Sequence, residues 1–253
     1  MGKFDGYLIC TDYDGTFAIK GEPVAANLPA IRHFTDNGGR FSIATGRTVS
    51  FLREKNLEKL INAPACLYNG SLVYDYAEDK VLRTRFLSFN VAEFFDLMQP
   101  LLSRIEKIDL YEDGETLNHL PLDAVTGSHL TARQRKLLCR FPTEEAADDF
   151  RREAEKLLPP NLASLSKSWA YGVEFNPIDG TKGHALKFIK GYLPDIHTSI
   201  GVGNYDNDLP LLRHADIAAA PEGSYKTVLQ EAKIILPQCA DGAIAALIDS
   251  LPL

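Results

Sequence analysis

The stretch YLICTDYDGT, residues 7–16, decides the fold and indicates the chemistry. An apolar run predicts a buried strand, and Asp12 and Asp14 follow it before a turn at Gly15. Residues two apart in a strand lie on the same side, so the two carboxylates should converge. Such close like charges need a proton or a cation, and Mg²⁺ is a hard cation that takes carboxylate oxygens. Asp and Gly also form plain turns, in which Thr16 could hydrogen-bond, so this stretch alone leaves a turn and a metal site as alternatives.

Composition limits the possible classes of protein. The chain has 253 residues, 45% of them hydrophobic and 24% charged, which is typical of a soluble protein of one large or two modest domains. A net charge of −7 argues against partners such as nucleic acid or a membrane surface. The four cysteines are scattered without zinc-site spacing. No signal peptide and no apolar run of about 20 residues is seen, so we expect a cytoplasmic protein.

Strand and helix patterns alternate in the first and last thirds of the chain. Strands are predicted at 7–11, 41–44, 65–68, 199–202, 217–219 and 233–236, and helices at 24–37, 49–60, 183–193, 209–214, 224–232 and 243–251, with a hairpin arm at 72–74. This order predicts an α/β fold, a Rossmann-like doubly wound parallel sheet with helices on both faces. Ligands bind such sheets at the carboxyl ends of the strands, where Asp12, Asp14 and Thr45 fall.

The middle of the chain breaks this alternation. Helices are predicted at 91–102 and 143–158, the second opening with a capping pattern at Thr143, and strands at 81–86, 107–111, 136–141, 162–166 and 171–175. Strands beside helices without alternation predict an inserted α+β domain. We therefore expect a core domain formed by residues 1–80 and 177–253, and an inserted domain at 81–176.

Three further segments carry polar groups at predicted strand or helix ends. Thr45, Gly46 and Arg47 together offer a hydroxyl, a backbone N–H and a guanidinium, a plausible grip on phosphate, although a plain turn with a surface Arg is the simpler reading of this segment alone. Lys182 begins a helix, where a cation opposes the helix dipole, which suggests a role in neutralising an anion; a solvated loop lysine stays the alternative. The segment GNYDND, residues 203–208, could complete a metal shell or cap a helix.

The four segments, in this order, resemble the motifs of the haloacid dehalogenase (HAD) superfamily of phosphohydrolases, over essentially the whole chain. Residues 12–16, 45–47, 182–186 and 203–208 look like its first to fourth motifs. The pair Asn69-Gly70 and the segment 241–244 look like the corresponding segments of the Cof-type subfamily. The 137 positions between Thr45 and Lys182 leave room for a whole domain, which in this superfamily implies a C2-type cap of the C2B form.

The resemblance implies a Mg²⁺-dependent phosphatase acting on a small phosphorylated metabolite, a sugar phosphate in our leading hypothesis. The implied catalytic residues are Asp12 as the nucleophile that forms an aspartyl-phosphate, Asp14 as acid and base, and Lys182. Substrate binding would fall to Thr45, Gly46, Arg47 and Asn207, and metal binding to Asp12, Asp14, Asn204 and Asp208.

One position departs from the family pattern. Asn204 stands where the family usually has a metal-binding Asp, which implies weaker Mg²⁺ binding with activity retained. Two alternatives stay open: a member that binds a phosphometabolite with little or no turnover, and a phosphomutase. The substrate would be selected by the cap, where Lys167, Ser168, Trp169 and Tyr171 precede its end, and Trp169 is expected to pack rather than to stack on a ligand.

Overall fold

A computed structural model describes residues 2–114 and 116–251. The strands are β1 Tyr7–Thr11, β2 Ala18–Ile19, β3 Glu22–Pro23, β4 Arg40–Ile43, β5 Ala65–Leu67, β6 Leu72–Asp75, β7 Lys80–Thr84, β8 Lys107–Glu112, β9 Thr116–Leu120, β10 Gln134–Arg140, β11 Ser164–Ser166, β12 Gly172–Asn176, β13 Thr198–Val202, β14 Ile217–Pro221 and β15 Ile234–Leu236. The α-helices are α1 Asn27–Asp36, α2 Val49–Glu54, α3 Val91–Leu97, α4 Glu144–Leu157, α5 Lys182–Tyr192, α6 Leu209–His214, α7 Lys226–Glu231 and α8 Ala243–Ser250.

The chain divides into two compact units. The first consists of Met1–Thr84 and Lys182–Leu253, and the second of Arg85–Thr181. The first unit carries a parallel sheet of order β15-β14-β13-β1-β4. This sheet and its flanking helices confirm the expected α/β fold. Separate antiparallel sheets are also present.

Both faces of the parallel sheet are covered because β1 is apolar on both sides. Ile9 belongs to a core cluster with residues of α1 and α8, including Ile31 and Leu247. Its neighbours Leu8 and Cys10 point the other way, into a cluster with residues of α5 and α6. Alternation along one strand therefore binds two layers of helices to one sheet.

The third predicted strand of the first unit pairs differently from our expectation. β5 was expected to extend the parallel sheet, but it forms an antiparallel sheet of order β5-β6-β7. Its link to the parallel sheet is a parallel bridge between Ala44 and Cys66. The strand expected at 81–86, assigned to the inserted domain, is β7 and pairs with β6 in the first unit, since the hairpin turn between them is short.

Helix ends follow local chemistry. The helix expected at 49–60 ends at Glu54 because Asn56 adopts a left-handed conformation with φ 55°, and a 3-10 turn follows. Thr143 caps α4 by accepting a hydrogen bond from the backbone N–H of Ala146 at 3.1 Å. The two-residue strands β2 and β3 and the strand β9 were not expected from the sequence.

The second unit is an antiparallel sheet of order β11-β12-β10-β8-β9 with helices packed on one face. Phe175 of β12 meets the rings of Phe94 in α3 and Phe150 in α4 at centroid distances of 5.0 and 6.4 Å. Of the helices in the described part of the chain, none is long and apolar enough to cross a membrane.

Candidate active site

The sequence-predicted segments meet at one edge of the parallel sheet. β1 lies between β4 and β13, and all three run in the same direction. Asp12 follows β1, Thr45 lies two residues beyond β4, and Gly203 follows β13. The backbone N–H of Asp12 donates to the carbonyl of Val202 at 2.7 Å, which ties the first segment to the fourth.

A buried lysine joins the first, third and fourth segments. Lys182, the first residue of α5, has a side chain with no exposed surface. Its Nζ donates to Oδ1 of Asp12 and to Oδ1 of Asp208, each at 2.6 Å. The cluster therefore brings together Asp12, Lys182 and Asp208, and it carries one net negative charge when all three are ionised.

The backbone of the fourth segment fixes Asp208. Its Oδ2 accepts hydrogen bonds from the N–H groups of Asn204 at 2.9 Å and Tyr205 at 3.1 Å. Gly203 is required here, since a Cβ on it would lie 2.3 Å from the Cβ of Asp208. Asp208 is thus satisfied on both oxygens and holds Lys182 in place.

Burial and the neighbouring charges both act on the pKa of Asp12. Burial raises the pKa of Asp12 to about 7; Lys182 opposes this rise and Asp208 adds to it. Burial lowers the pKa of Lys182, but the two carboxylates raise it more, so the ammonium stays charged. A cation near Asp12 would restore its ionised, nucleophilic form.

Asp14 lies on the more exposed side of the same loop. Its two oxygens accept hydrogen bonds from Nε and Nη2 of Arg47, both at 3.0 Å. Both side chains are nearly half exposed, and the guanidinium of Arg47 also lies 4.6 Å from the ring centroid of Phe51. The second segment therefore contacts the first through a solvent-accessible ion pair, which an incoming anion could share.

Asn69, for which no role was predicted, joins Thr45 and Asn207. The backbone N–H of Asn69 donates to the carbonyl of Thr45 at 2.9 Å, and its Oδ1 accepts from Nδ2 of Asn207 at 3.2 Å. Thr45 Oγ1 accepts from the N–H of Arg47 at 3.2 Å, and Gly46 between them is half-buried. The Asn-Gly pair directly after a strand was the available signal for Asn69.

Asn204 lies against the first loop. Its Nδ2 would be 2.3 Å from a Cβ at Gly15, whose φ of +82° also favours glycine. The expected hydrogen bond of Thr16 is absent: its Oγ1 is buried and has no hydrogen-bond partner within the part of the chain that the structure describes, because Thr16 points into the packed interior.

The donor chemistry of this edge fits a hard cation. Asp12, Asp14 and Asn204 offer oxygen atoms only, which is what Mg²⁺ prefers. Within residues 2–114 and 116–251, no three His, Cys, Asp or Glu side chains are grouped to hold a metal. The uncharged side-chain oxygen of Asn204 would therefore have to bind the cation together with the carboxylates of Asp12 and Asp14.

Comparison with known proteins identifies the family. The family model for haloacid dehalogenase-like hydrolases matches residues 9–121 and 128–248. The chain belongs to this family. The match includes every candidate site residue, so the resemblance expected from the four segments is confirmed. No curated protein sequence matches the chain.

Solved structures share the fold over nearly the whole chain at low identity. A haloacid dehalogenase-like hydrolase from B. subtilis has a TM-score of 0.82 and 16% identity, with 97% of this chain and 99% of that one covered. The HAD subclass IIB sugar phosphatase BT4131 has a TM-score of 0.77 and 16% identity, with coverage of 96% and 97%. A HAD/COF-like hydrolase from Plasmodium vivax has a TM-score of 0.77 and 16% identity, with coverage of 97% and 95%.

Proposed function

We propose that this protein is a Mg²⁺-dependent phosphatase that hydrolyses small phosphomonoesters, sugar phosphates in particular, in the cytoplasm. The observation that carries the proposal is the buried Lys182, which contacts both Asp12 and Asp208 at 2.6 Å. A buried lysine that orients a carboxylate at a strand end suits nucleophilic catalysis better than stability, since desolvating three charges is costly. The family and the structural likeness to a sugar phosphatase support the reaction class.

The first half-reaction transfers the phosphoryl group to the protein. A carboxylate oxygen of Asp12 attacks phosphorus, the bond from phosphorus to the ester oxygen breaks, and Asp14 gives its proton to the leaving alcohol. In the second half, water attacks the aspartyl-phosphate, Asp14 takes a proton from that water, and inorganic phosphate leaves. Asp12 is thereby regenerated as a carboxylate.

Positive and hydrogen-bonding groups would stabilise the charge of the transferring group. Lys182 neutralises Asp12, and Thr45 and Asn207 would donate hydrogen bonds to phosphoryl oxygens. Arg47, aided by the backbone N–H of Gly46, would share its guanidinium between Asp14 and the substrate. Such positioning in a preorganised site is the main source of catalysis in phosphoryl transfer.

Asp12, Asp14 and Asn204 would hold the Mg²⁺, which would screen the charge between the nucleophile and the phosphoryl group, and Asp208, expected from the sequence as a further ligand, would support them. Asp208 already accepts three hydrogen bonds, from Lys182 and from two backbone N–H groups. Its contribution would therefore include fixing the loop that carries Asn204. Because Asn204 brings no charge, we expect a higher Mg²⁺ requirement than an Asp at this position would give.

Phosphate release from a panel of small phosphate esters, with and without millimolar Mg²⁺, tests the proposal. Metal-dependent release that is lost in Asp12→Asn is the expected result. Release that Asp12→Asn retains in full would contradict the assignment of the nucleophile.

A second candidate function is favoured by Asn204 alone: binding of a phosphorylated metabolite without turnover. The intact Asp12, Asp14 and Lys182 argue against it, because binding does not need a nucleophile. Saturable binding of an ester, with no phosphate release from the wild type or from Asn204→Asp, would favour this candidate.

A further inference from the structure

The second unit contains a cleft whose lining includes none of the residues proposed for phosphoryl transfer. Its volume is about 330 Å³, within the range of small-molecule sites. It lies where β8 begins at Lys107, where β10 ends at Arg140, and just before β12. Aromatic side chains, Trp169 and Tyr171 among them, line it together with charged groups.

Arg140 is held rigidly in the wall of this cleft. Its Nε lies 2.9 Å from Oδ1 of Asp109 and its Nη2 lies 2.5 Å from Oδ2, and the Asp109 side chain has no exposed surface. The guanidinium carbon also lies 4.7 Å from the ring centroid of Trp169. Nη1 of Arg140 makes no hydrogen bond to any residue within 2–114 and 116–251, so it is available to a ligand.

The same carboxylate also fixes the backbone of a second lining residue. Oδ1 of Asp109 accepts a hydrogen bond from the backbone N–H of His119 at 2.7 Å. His119 has φ +60°, in the left-handed region, and the residue lines the cleft. One buried carboxylate thus positions the guanidinium of Arg140 and the backbone of His119, two residues that line the cleft.

The charges of the cleft favour an uncharged ligand. Asp109 cancels the charge of Arg140, and Glu106 opposes that of Lys107, so no surplus positive charge remains for a phosphate dianion. Hydrogen-bond donors and acceptors are nevertheless present on several sides. They suit a ligand rich in hydroxyl groups.

The aromatic groups favour a ring. Tyr171 is 51% exposed at the cleft, and Trp169 is half-buried beside Arg140. Aromatic rings with a polar edge give an apolar surface to one side of a ligand and hydrogen bonds to its rim. From the cleft, its cancelled charges and these rings, we propose that the second unit binds a neutral saccharide ring at Trp169, Tyr171 and Arg140, a ligand different from the phosphate ester of the proposed reaction. Trp169, expected to pack, would then both pack and contact a ligand.

The chain itself supplies the probe, because Trp169 is its only tryptophan. We expect titration of the full chain with non-phosphorylated mono- and disaccharides, up to about 50 mM, to give a saturable change in tryptophan fluorescence for at least one sugar, with a Kd in the micromolar to millimolar range. Isothermal calorimetry with the same sugars should give the same Kd. No saturable change in fluorescence and no heat of binding would overturn the proposal.

Tyr171→Ala tests the position of the site without disturbing the buried ion pair. Since Tyr171 is half exposed, the variant should fold, which circular dichroism checks, and should weaken sugar binding at least tenfold. Tyr192→Ala, which removes a 39% exposed tyrosine from the first unit, is the matched control and should bind as the wild type does. Binding that survives Tyr171→Ala unchanged would place the sugar elsewhere and overturn the proposal.

Titrations with inorganic phosphate and with a phosphorylated sugar distinguish binding of an anion from binding of a neutral sugar. A fluorescence response to phosphate that is stronger than the response to any neutral sugar would show an anion site and overturn the proposal. No turnover enters these measurements, so they stand whether or not phosphate release is observed.

Discussion

Each unit of the molecule buries a lysine against carboxylate oxygens, but the charge balance differs. In the first unit, Nζ of Lys182 lies 2.6 Å from both Asp12 and Asp208. In the second, Nζ of Lys136 lies 2.6 Å from Glu174, and both side chains are at most 3% exposed. The first cluster has one excess negative charge, whereas the second is a neutral pair.

The neutral pair is almost fully buried, whereas the charged cluster keeps some contact with solvent. Burial lowers the pKa of Lys136, but Glu174 raises it more, and the ring of Tyr111 lies 4.4 Å from Nζ. Asp12 keeps 9% of its side-chain surface exposed and has a pKa raised by burial to about 7. The two buried clusters therefore differ in net charge and in exposure to solvent, although each pairs a lysine with carboxylate oxygens.

The largest effect should come from removing that excess charge. Asp12→Asn keeps the side-chain shape and leaves Lys182 paired with Asp208, so the protein should fold. Phosphate release should fall by about 10³-fold or more, because the nucleophile is lost. Steady-state kinetics on the best ester from the panel measures it.

Asp36→Asn is the matched control for that substitution. Asp36 is exposed at the end of α1, so the same change of charge there should leave kcat/KM within about twofold. Equal losses in the two variants would mean that net charge, and not the nucleophile, sets the rate.

In the second unit, breaking the neutral pair should cost stability. Lys136→Met removes the buried cation that lies 2.6 Å from Glu174, and we expect a loss of about 3–5 kcal/mol in the free energy of unfolding. The double variant Lys136→Met, Glu174→Leu should recover much of it, since no charge is then buried. Urea unfolding followed by circular dichroism measures both variants.

An exposed ion pair supplies the control. Arg213 Nε lies 2.9 Å from Glu231, with side chains 58% and 33% exposed, so Arg213→Met should cost less than about 1 kcal/mol. A cost for Lys136→Met as small as this would show that the pair in the second unit is solvated after all, and the contrast with Lys182 would weaken.

A smaller effect is expected on the Mg²⁺ requirement of the cluster in the first unit. Asn204→Asp adds a carboxylate beside the loop of Gly15, and we expect the Mg²⁺ concentration for half-maximal activity to fall by about tenfold, about 1.4 kcal/mol. Asn118→Asp, at an exposed position of β9, is the control for added charge. Mg²⁺ dependence that is the same in Asn204→Asp as in the wild type would argue against Asn204 as a ligand.

The sequence predicted which segments lie together better than how the strands pair, for a physical reason. Asp12, Thr45 and Lys182 lie at strand or helix ends, and a parallel sheet brings such ends together whatever the details of packing. The partner of β5 could not be predicted, because a short apolar run fits a parallel or an antiparallel neighbour equally well. Period-two alternation in β10 would have placed Lys136 opposite the core face of Leu137, but it does not identify Glu174 as its partner.

The smallest effect concerns a third lysine–carboxylate pair, Lys190 and Asp216, which extends the comparison to a solvated site. Nζ of Lys190 lies 2.7 Å from Oδ2 of Asp216, whose side chain is 44% exposed. Partial burial raises the pKa of Asp216, but the hydrogen bonds from Lys190 and Ser199 lower it more, to about 2.

Because the folded pKa of Asp216 lies below its ordinary value of 3.8, the stabilisation is present above about pH 4 and disappears as the pH falls toward 2. Asp216→Asn should therefore cost less than about 1 kcal/mol at pH 7, given the exposure of the pair, and the cost should shrink as the pH falls from 4 toward 2. Urea unfolding midpoints at pH 7, 4 and 2.5 measure the difference. If the gap between wild type and variant widened on acidification, the pair would not behave as a solvent-screened carboxylate, and exposure would no longer separate it from Asp12.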